Sequence, residues 1–272
     1  MATDYTDIGI IGAGNMATAI VSGIIRGGGI PEHIHIFDID GEKMNALSQR
    51  TGANIAKSNQ EVVKRSNIII LAVKPQVYAD LLGKLKDDIT KDHIVVSIAA
   101  GISTQYIKNR LRIGNSARIV RIMPNMPALI GKGVIAVCDD SSAKQSDIET
   151  VTELFSHLGS IELVSEEDMN VITAISGSGP AYAFMFLEAL ADAAVMMGLS
   201  RDQAYRIAAN MLIGAASMYK DTKLHPGELK DMVCSPAGTT IGAVYALEQK
   251  GFRGAIMSAV KECAKRGEQL SK

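Results

Sequence analysis

The chain has no tryptophan, and only five Phe and seven Tyr among its 272 residues. That leaves no aromatic platform for stacking single-stranded bases. Cysteine is scarce too: Cys138, Cys234 and Cys263 are scattered, odd in number and form no CxxC pair. This spacing argues against a disulfide framework or a zinc site. No metal is expected, and reduced thiols in a cytosolic compartment fit best. Neither charge is in surplus, since 28 basic and 29 acidic residues give a net charge of −1. Without a basic excess to neutralise phosphates, a nucleic-acid partner is not expected. No uninterrupted apolar run approaches the ~18 residues of a membrane span. The opening Met1-Ala2-Thr3-Asp4-Tyr5-Thr6-Asp7 is acidic where a secretory signal would be basic. The expectation is a cytoplasmic protein without a membrane partner.

What is present is ample apolar material: 47% hydrophobic against 21% charged residues, enough for one or two packed domains. The 13 Met read as helix-core filling. The first half alternates β-branched runs with helical spacing. The runs cover 8–11, 34–37, 68–73, 94–98 and 119–122, and Met16, Ile20 and Ile24 show the helical spacing between two of them. Near-continuous apolar strands separated by helices predict a parallel sheet covered on both faces. Further strands are expected at 134–137 and 161–164, with a helix over 143–157 between them.

After Ser165 the texture changes to Ala, Met, Leu and Glu. Helices are predicted at 166–175, 180–197, 200–219, 226–234, 238–249 and 252–270. Gly198 and Gly251 stand where helices would stop. The fold class is therefore α/β, with a dinucleotide-binding domain over 1–165 and an all-α domain over 166–272. The segment 180–197 is apolar nearly all round, which predicts burial, either inside a bundle or against a second subunit.

Gly12-Ala13-Gly14-Asn15-Met16-Ala17 is G-x-G-x-x-A, placed after the first strand and opening a helix. Gly12 permits a tight turn, Gly14 lets a pyrophosphate approach the backbone, and Ala17 allows close helix–strand packing. Free N–H groups at the helix start then favour phosphate charge. Asp38 ends the second strand, 21 residues after Ala17. A carboxylate there can bond a ribose 2′-hydroxyl and would repel a 2′-phosphate, which leans toward NAD. Asp40 is a candidate cap for the helix from Gly41. With strand, loop, helix and acidic residue all in place, a Rossmann-type site for NAD or NADP is expected. Ala72-Val73-Lys74-Pro75 and Ser97-Ile98-Ala99-Ala100-Gly101 end later strands. In an open parallel sheet they border the nicotinamide half of such a cofactor.

Two segments of the second half are distinctive. Ser176-Gly177-Ser178-Gly179-Pro180-Ala181-Tyr182 reads as small residues leading into a helix with Pro180 at its start. Near Ser235-Pro236-Ala237-Gly238-Thr239-Thr240 a helix breaks, turns and restarts. That turn exposes successive N–H groups suited to a carboxylate, while Thr239 and Thr240 can either cap the helix or face a ligand.

These motifs, with Arg121-Ile122-Met123-Pro124-Asn125 and His225-Pro226 through Leu247-Glu248, resemble the pyrroline-5-carboxylate reductase family over nearly the whole chain. The resemblance implies reduction of 1-pyrroline-5-carboxylate to L-proline with reduced NAD or NADP as hydride donor. It also implies a helical domain that forms homodimers, with dimers assembled into a decamer and the substrate site near the dimer interface. Residue by residue, it implies that Ile11, Gly12, Ala13, Gly14, Asn15 and Met16 form the phosphate loop. Asn59 would lie on the adenosine side, and Ala72, Val73, Lys74 and Pro75 would line the cofactor. Ser235, Gly238, Thr239 and Thr240 would bind the substrate carboxylate, with Thr240 facing the ring nitrogen as the catalytic group. Asp38-Ile39-Asp40 stands where many members of that family place small hydroxyl residues.

His33, His35, His93 and His157 read as structural or surface residues, and His225 as an ordinary helix start. Lys74, before Pro75, reads as a backbone feature. A β-hydroxyacid dehydrogenase is the competing enzyme, but its catalytic Lys has no counterpart, because Pro180 to Met197 contains no Lys. A dinucleotide-sensing scaffold would leave the Ser235–Thr240 turn without a task.

Overall fold

The computed structural model describes residues 7–139 and 142–270. They fall into two compact units, one ending at Ser178 and rejoined from Cys263 onward, the other spanning Gly179–Glu262.

The first unit carries one eight-stranded sheet. Its strands are β1 (Ile8–Ile11), β2 (Ile34–Phe37), β3 (Asn54–Ile55), β4 (Ile68–Leu71), β5 (Ile94–Ser97), β6 (Arg118–Met123), β7 (Gly133–Cys138) and β8 (Gly159–Val164). They lie in the order 3-2-1-4-5-6-7-8. Its helices are α1 (Asn15–Arg26), α2 (Gly41–Thr51), α3 (Asn59–Lys64), α4 (Tyr78–Leu85), α5 (Thr104–Arg110), α6 (Gln145–Ser156) and α7 (Met169–Ile172). The order reverses between β1 and β4, which makes the switch point where ligands of such sheets bind.

Strand alternation explains the continuous apolar runs. Ile10, Ile36, Ile70 and Val96 pack on one face against Ile20 and Ile24 of α1 and Val151 and Phe155 of α6. Ile11, Ile69, Leu71 and Val95 pack on the other, against Val62 of α3 and Tyr78 and Leu82 of α4. With both faces covered, no position in these strands can be polar without a partner.

Three expectations change. β3 is two residues long, too short to leave a periodic signal. The run at 68–73 stops as a strand at Leu71, so Ala72 and Val73 leave the sheet. β7 runs antiparallel to β6, with Ile122 opposite Val137. The nine residues between them form one 3-10 turn, Met126–Ile130, and are too few for the helical crossover that parallel pairing requires.

The second unit is helical: α8 (Gly179–Met196), α9 (Arg201–Thr222), α10 (Pro226–Val233), α11 (Thr239–Gln249) and most of α12 (Phe252–Leu270). Ser200 caps α9 by accepting from the Gln203 N–H. Within this unit the Phe186 and Phe252 rings meet at 5.8 Å. Among the described residues of the unit, the fully buried apolar side chains are Ala191, Ala204 and Ala208. Phe184 stays 63% exposed and Met185 70%. A central buried helix in a monomeric bundle is thus not what α8 forms.

The small residues that lead into α8 begin inside a helical turn, since Ser176 and Gly177 are already part of one. Thr173–Gly177 is a single π turn between α7 and α8, closed by the Ser178 N–H donating to the Thr173 carbonyl at 2.9 Å. The resulting helical stretch, Met169–Met196, is long and apolar enough by length and composition to cross a membrane, and its buried residues are Met169, Ala174 and Ala191.

Candidate functional site

The glycine loop forms because β1 must pass directly into α1. Gly12 has φ +110°, and a Cβ on it would lie 2.7 Å from the Ala72 carbonyl oxygen, so only glycine fits. The Ala72 N–H donates to the Ile11 carbonyl at 2.8 Å, which holds the residues after β4 against the loop. The space beside Gly14 is open, with nothing within 4 Å of an added Cβ. Gly14 is the N-cap of α1, which has no side-chain cap and no acidic residue in its first turn. The N–H groups at the start of α1 are therefore presented at an open surface where an anion is favoured.

The end of β2 is tied to this loop twice. Gly12 N–H donates to the Phe37 carbonyl at 2.8 Å, and Ala13 N–H donates to Asp38 Oδ2 at 2.6 Å. The other Asp38 oxygen accepts from the Asp40 N–H at 2.9 Å. Asp40 caps α2 as expected, accepting from the Glu42 and Lys43 N–H groups. Its hydrogen bond with the Lys43 side chain is the main reason its carboxyl lies below the ordinary carboxylate value. Asn59 opens α3, and its Oδ1 is buried without a hydrogen-bond partner. An unspent acceptor there, an open Gly14 and an uncapped α1 together fit a dinucleotide.

Lys74 and Pro75 follow β4, with Pro75 starting a 3-10 turn over Pro75–Val77. That turn brings Tyr78 against the carboxyl ends of β4 and β5. The buried Tyr78 hydroxyl donates to the Leu71 carbonyl at 2.8 Å and lies 3.1 Å from Ser97 Oγ. Burial raises its pKa, so it remains a neutral hydroxyl. Ala99 turns into the core rather than lining open space. Arg121, buried in β6 and paired with Ser97 in register, donates through Nη1 to Glu166 Oε1 at 3.1 Å. Glu166 also accepts from the N–H and hydroxyl of Thr104, at 2.8 and 2.5 Å.

In the second unit, one local device starts α10 and two build the α10–α11 turn. His225 caps α10, its Nδ1 accepting from the Gly227 N–H at 3.0 Å. Gly238 N–H donates to the Ser235 carbonyl at 3.1 Å, and Ala237 has φ +56°. With Pro236 second in the turn, this is type II geometry. A Cβ on Gly238 would lie 2.3 Å from Ser235 Oγ, so Ser235 packs onto the bare α-carbon of Gly238. Gly238, not a threonine, is the N-cap of α11. Thr239 and Thr240 are the first two helical residues, so neither hydroxyl caps the helix. Thr239 is exposed and Thr240 half-buried. With no acidic residue in the first turn, this helix start also favours an anion.

The expected site residues thus lie in two groups. Ile11 to Met16, Asp38 and Ala72 to Pro75 gather at the switch point of the first unit, with Asn59 at the start of α3. Ser235 and Gly238 to Thr240 gather in one turn of the second. Tyr78 and the Thr104–Glu166 contacts had no local sequence signal, because their partners are distant in the chain.

The sheet order, the glycine loop and the open start of α1 define a Rossmann-type dinucleotide-binding protein, extended by a helical unit. A family model described as NADP oxidoreductase coenzyme F420-dependent matches residues 7–101, and one described as pyrroline-5-carboxylate reductase dimerisation matches 166–270. The Escherichia coli pyrroline-5-carboxylate reductase is 43% identical over 97% of this chain and 98% of its own. The Pisum sativum enzyme of the same name is 40% identical over 100% and 98%. A Plasmodium falciparum pyrroline carboxylate reductase, solved with NADP bound, superposes with a TM-score of 0.91 at 29% identity, covering 100% of both chains. The chain belongs to the pyrroline-5-carboxylate reductase family.

Proposed function

We propose that this chain reduces 1-pyrroline-5-carboxylate to L-proline, the last step of proline synthesis, with NADH or NADPH as reductant. Family membership sets the reaction. The observation in this chain that supports it is the α10–α11 turn, which starts a helix on Gly238 and leaves both threonine hydroxyls uncommitted to capping.

When bound, the reduced nicotinamide supplies a hydride to the imine carbon. The phosphate loop from Ile11 to Met16, Asp38, Asn59 and the segment Ala72–Pro75 hold that cofactor. Ser235 and Thr239 hold the substrate carboxylate with hydroxyl and backbone N–H donors, and Gly238, whose own N–H closes the turn on the Ser235 carbonyl, sets the shape of that cradle. Thr240 faces the ring nitrogen. A hydroxyl is too weak an acid to protonate an imine, but a substrate already protonated is an iminium and needs none. Thr240 then accepts the iminium N–H bond and orients the ring. Fixed orientation of donor and acceptor supplies much of the rate.

The domain reading accompanies this: a cofactor domain over 1–165 and a dimerising, substrate-binding domain over 166–272. The exposed apolar side chains of the helical unit favour a homodimer that covers them, with dimers assembled into a decamer in the cytoplasm. Glu188 and Asp192 interrupt the apolar stretch of α8, which favours a protein partner over lipid.

The test is oxidation of NADH or NADPH dependent on 1-pyrroline-5-carboxylate. Absence of turnover with either cofactor overturns the reading. Thr240→Val is expected to lose about 1.5–3 kcal/mol of transition-state binding, the worth of a hydrogen bond to a charged group. Unchanged kcat/KM in a folded Thr240→Val protein removes Thr240 from the mechanism.

A further inference from the structure

We propose that Asp38 is a specificity-determining residue that makes this chain discriminate against the 2′-phosphate of NADPH and prefer NADH. The inference rests on the cofactor reading above and adds to it a choice which that reading leaves open.

Asp38 is fixed where it can make this choice. The carboxylate is held by the Ala13 N–H of the glycine loop at 2.6 Å and by the Asp40 N–H at 2.9 Å. The backbone behind it is held as well, since Gly12 N–H bonds to the Phe37 carbonyl at 2.8 Å. The carboxylate therefore cannot swing away without giving up a bond to the loop that cradles the phosphates. An ionised carboxylate has about four acceptor positions, and two are spent here. The remaining lone pairs accept hydroxyl donors, which the 2′- and 3′-hydroxyls of an NADH ribose supply. A 2′-phosphate brings no donor at neutral pH and places two negative charges against the carboxylate.

The neighbouring charges do not offset this. Asp40 adds a second carboxylate two residues on, engaged by the Glu42 and Lys43 N–H groups at 3.2 Å each. The cation beside it, Lys43, is bound to Asp40 at 2.8 Å. Freeing Lys43 for a phosphate would strip the α2 cap of its counter-charge. Ile39, between the two carboxylates, is 94% exposed and offers no donor from its side chain.

The experiment is equilibrium binding of NADH and of NADPH to the whole protein, followed by the fluorescence of the reduced nicotinamide. NADH is expected to bind about tenfold or more tightly, the ratio that each 1.4 kcal/mol of differential binding produces. Asp38→Ser is expected to bring the two constants to within a factor of about three by relieving the repulsion of NADPH. A second measurement uses only the native protein: displacement of NADH by ADP and by adenosine 2′,5′-bisphosphate, with ADP expected to be the better competitor. Equal affinity for the two cofactors, tighter NADPH, or better displacement by the bisphosphate overturns the proposal and leaves the reductase reading standing. Failure of both cofactors to bind overturns both.

Discussion

The side chain of Asn125 completes a helix that Pro180 would otherwise leave open. Its Nδ2 donates to the Ser176 carbonyl at 2.8 Å, and its Oδ1 accepts from the Val134 N–H at 2.9 Å. Four residues after Ser176 stands Pro180, which has no N–H to return to that carbonyl. Asn125 therefore ties the π turn at Thr173–Gly177 to β7 by satisfying one orphan on each.

Asn125→Leu keeps the branching at Cγ, adds some volume and removes both bonds. Because Asn125 is buried, a carbonyl and an N–H then lose their partners away from water. The expected cost is about 2–4 kcal/mol of stability, two unsatisfied groups at one to two each. The check is the urea unfolding midpoint at fixed protein concentration, since any subunit association adds a concentration term. A midpoint unchanged from the native protein would remove Asn125 from the account of the π turn.

Asp147 gives a pH dependence. It is buried, accepts from Arg118 Nε at 2.9 Å and from a second guanidinium nitrogen, and accepts from the Lys144 N–H at 3.1 Å. The Arg118 bonds hold its pKa below the ordinary carboxylate value. A lowered folded pKa means the unfolded chain takes up the proton first. The contribution is complete above the unfolded value of about 4 and is lost as pH falls through the lower folded one. Asp147→Asn is expected to cost about 1.5–3 kcal/mol at pH 7 and to flatten the stability profile at acid pH. Equal slopes for the two proteins in acid unfolding would refute this.

The pattern of these residues shows what a sequence can carry. The strands were legible because Ile8–Ile11, Ile68–Leu71 and Ile94–Ser97 are covered on both faces, which forces apolar runs. The Asp40 cap and the glycine loop were legible because their chemistry is local. The direction of β7 was not, since alternation has no polarity along the sheet. The π turn was not, because Ser-Gly-Ser-Gly has the composition of a loop, and the side chain bonded to its carbonyl, Asn125, is 51 residues away. The choice between cap and ligand for Thr239 and Thr240 stays open in the sequence, because the glycine that does cap α11, Gly238, has no polar side chain to notice.

His225 tests the start of α10. Its Nδ1 serves as the acceptor that Ser or Asp more often provides. His225→Ala is expected to cost about 1 kcal/mol. His225→Asn, which can accept the same N–H, is expected to recover most of it. Thermal unfolding of the two variants side by side is the measurement, and equal losses would show that the ring contributes packing rather than a cap.

Ala237 tests whether the α10–α11 turn holds the substrate. Its φ of +56° is left-handed, a conformation costing an L-residue about 1–2 kcal/mol relative to glycine. Ala237→Gly relieves that strain but frees the unfolded chain, at a cost of about 0.4–1 kcal/mol, so a small net stabilisation is expected. Ala237→Val does the opposite, because a β-branched side chain is a severe outlier at positive φ. Strain there is expected to shift Ser235 and Gly238, whose N–H and carbonyl close the turn at 3.1 Å. The valine variant should therefore raise KM for 1-pyrroline-5-carboxylate several-fold while its affinity for NADH is unchanged, because the glycine loop lies in the other unit. If KM stays constant while stability drops, the turn is a structural corner and the carboxylate is bound elsewhere.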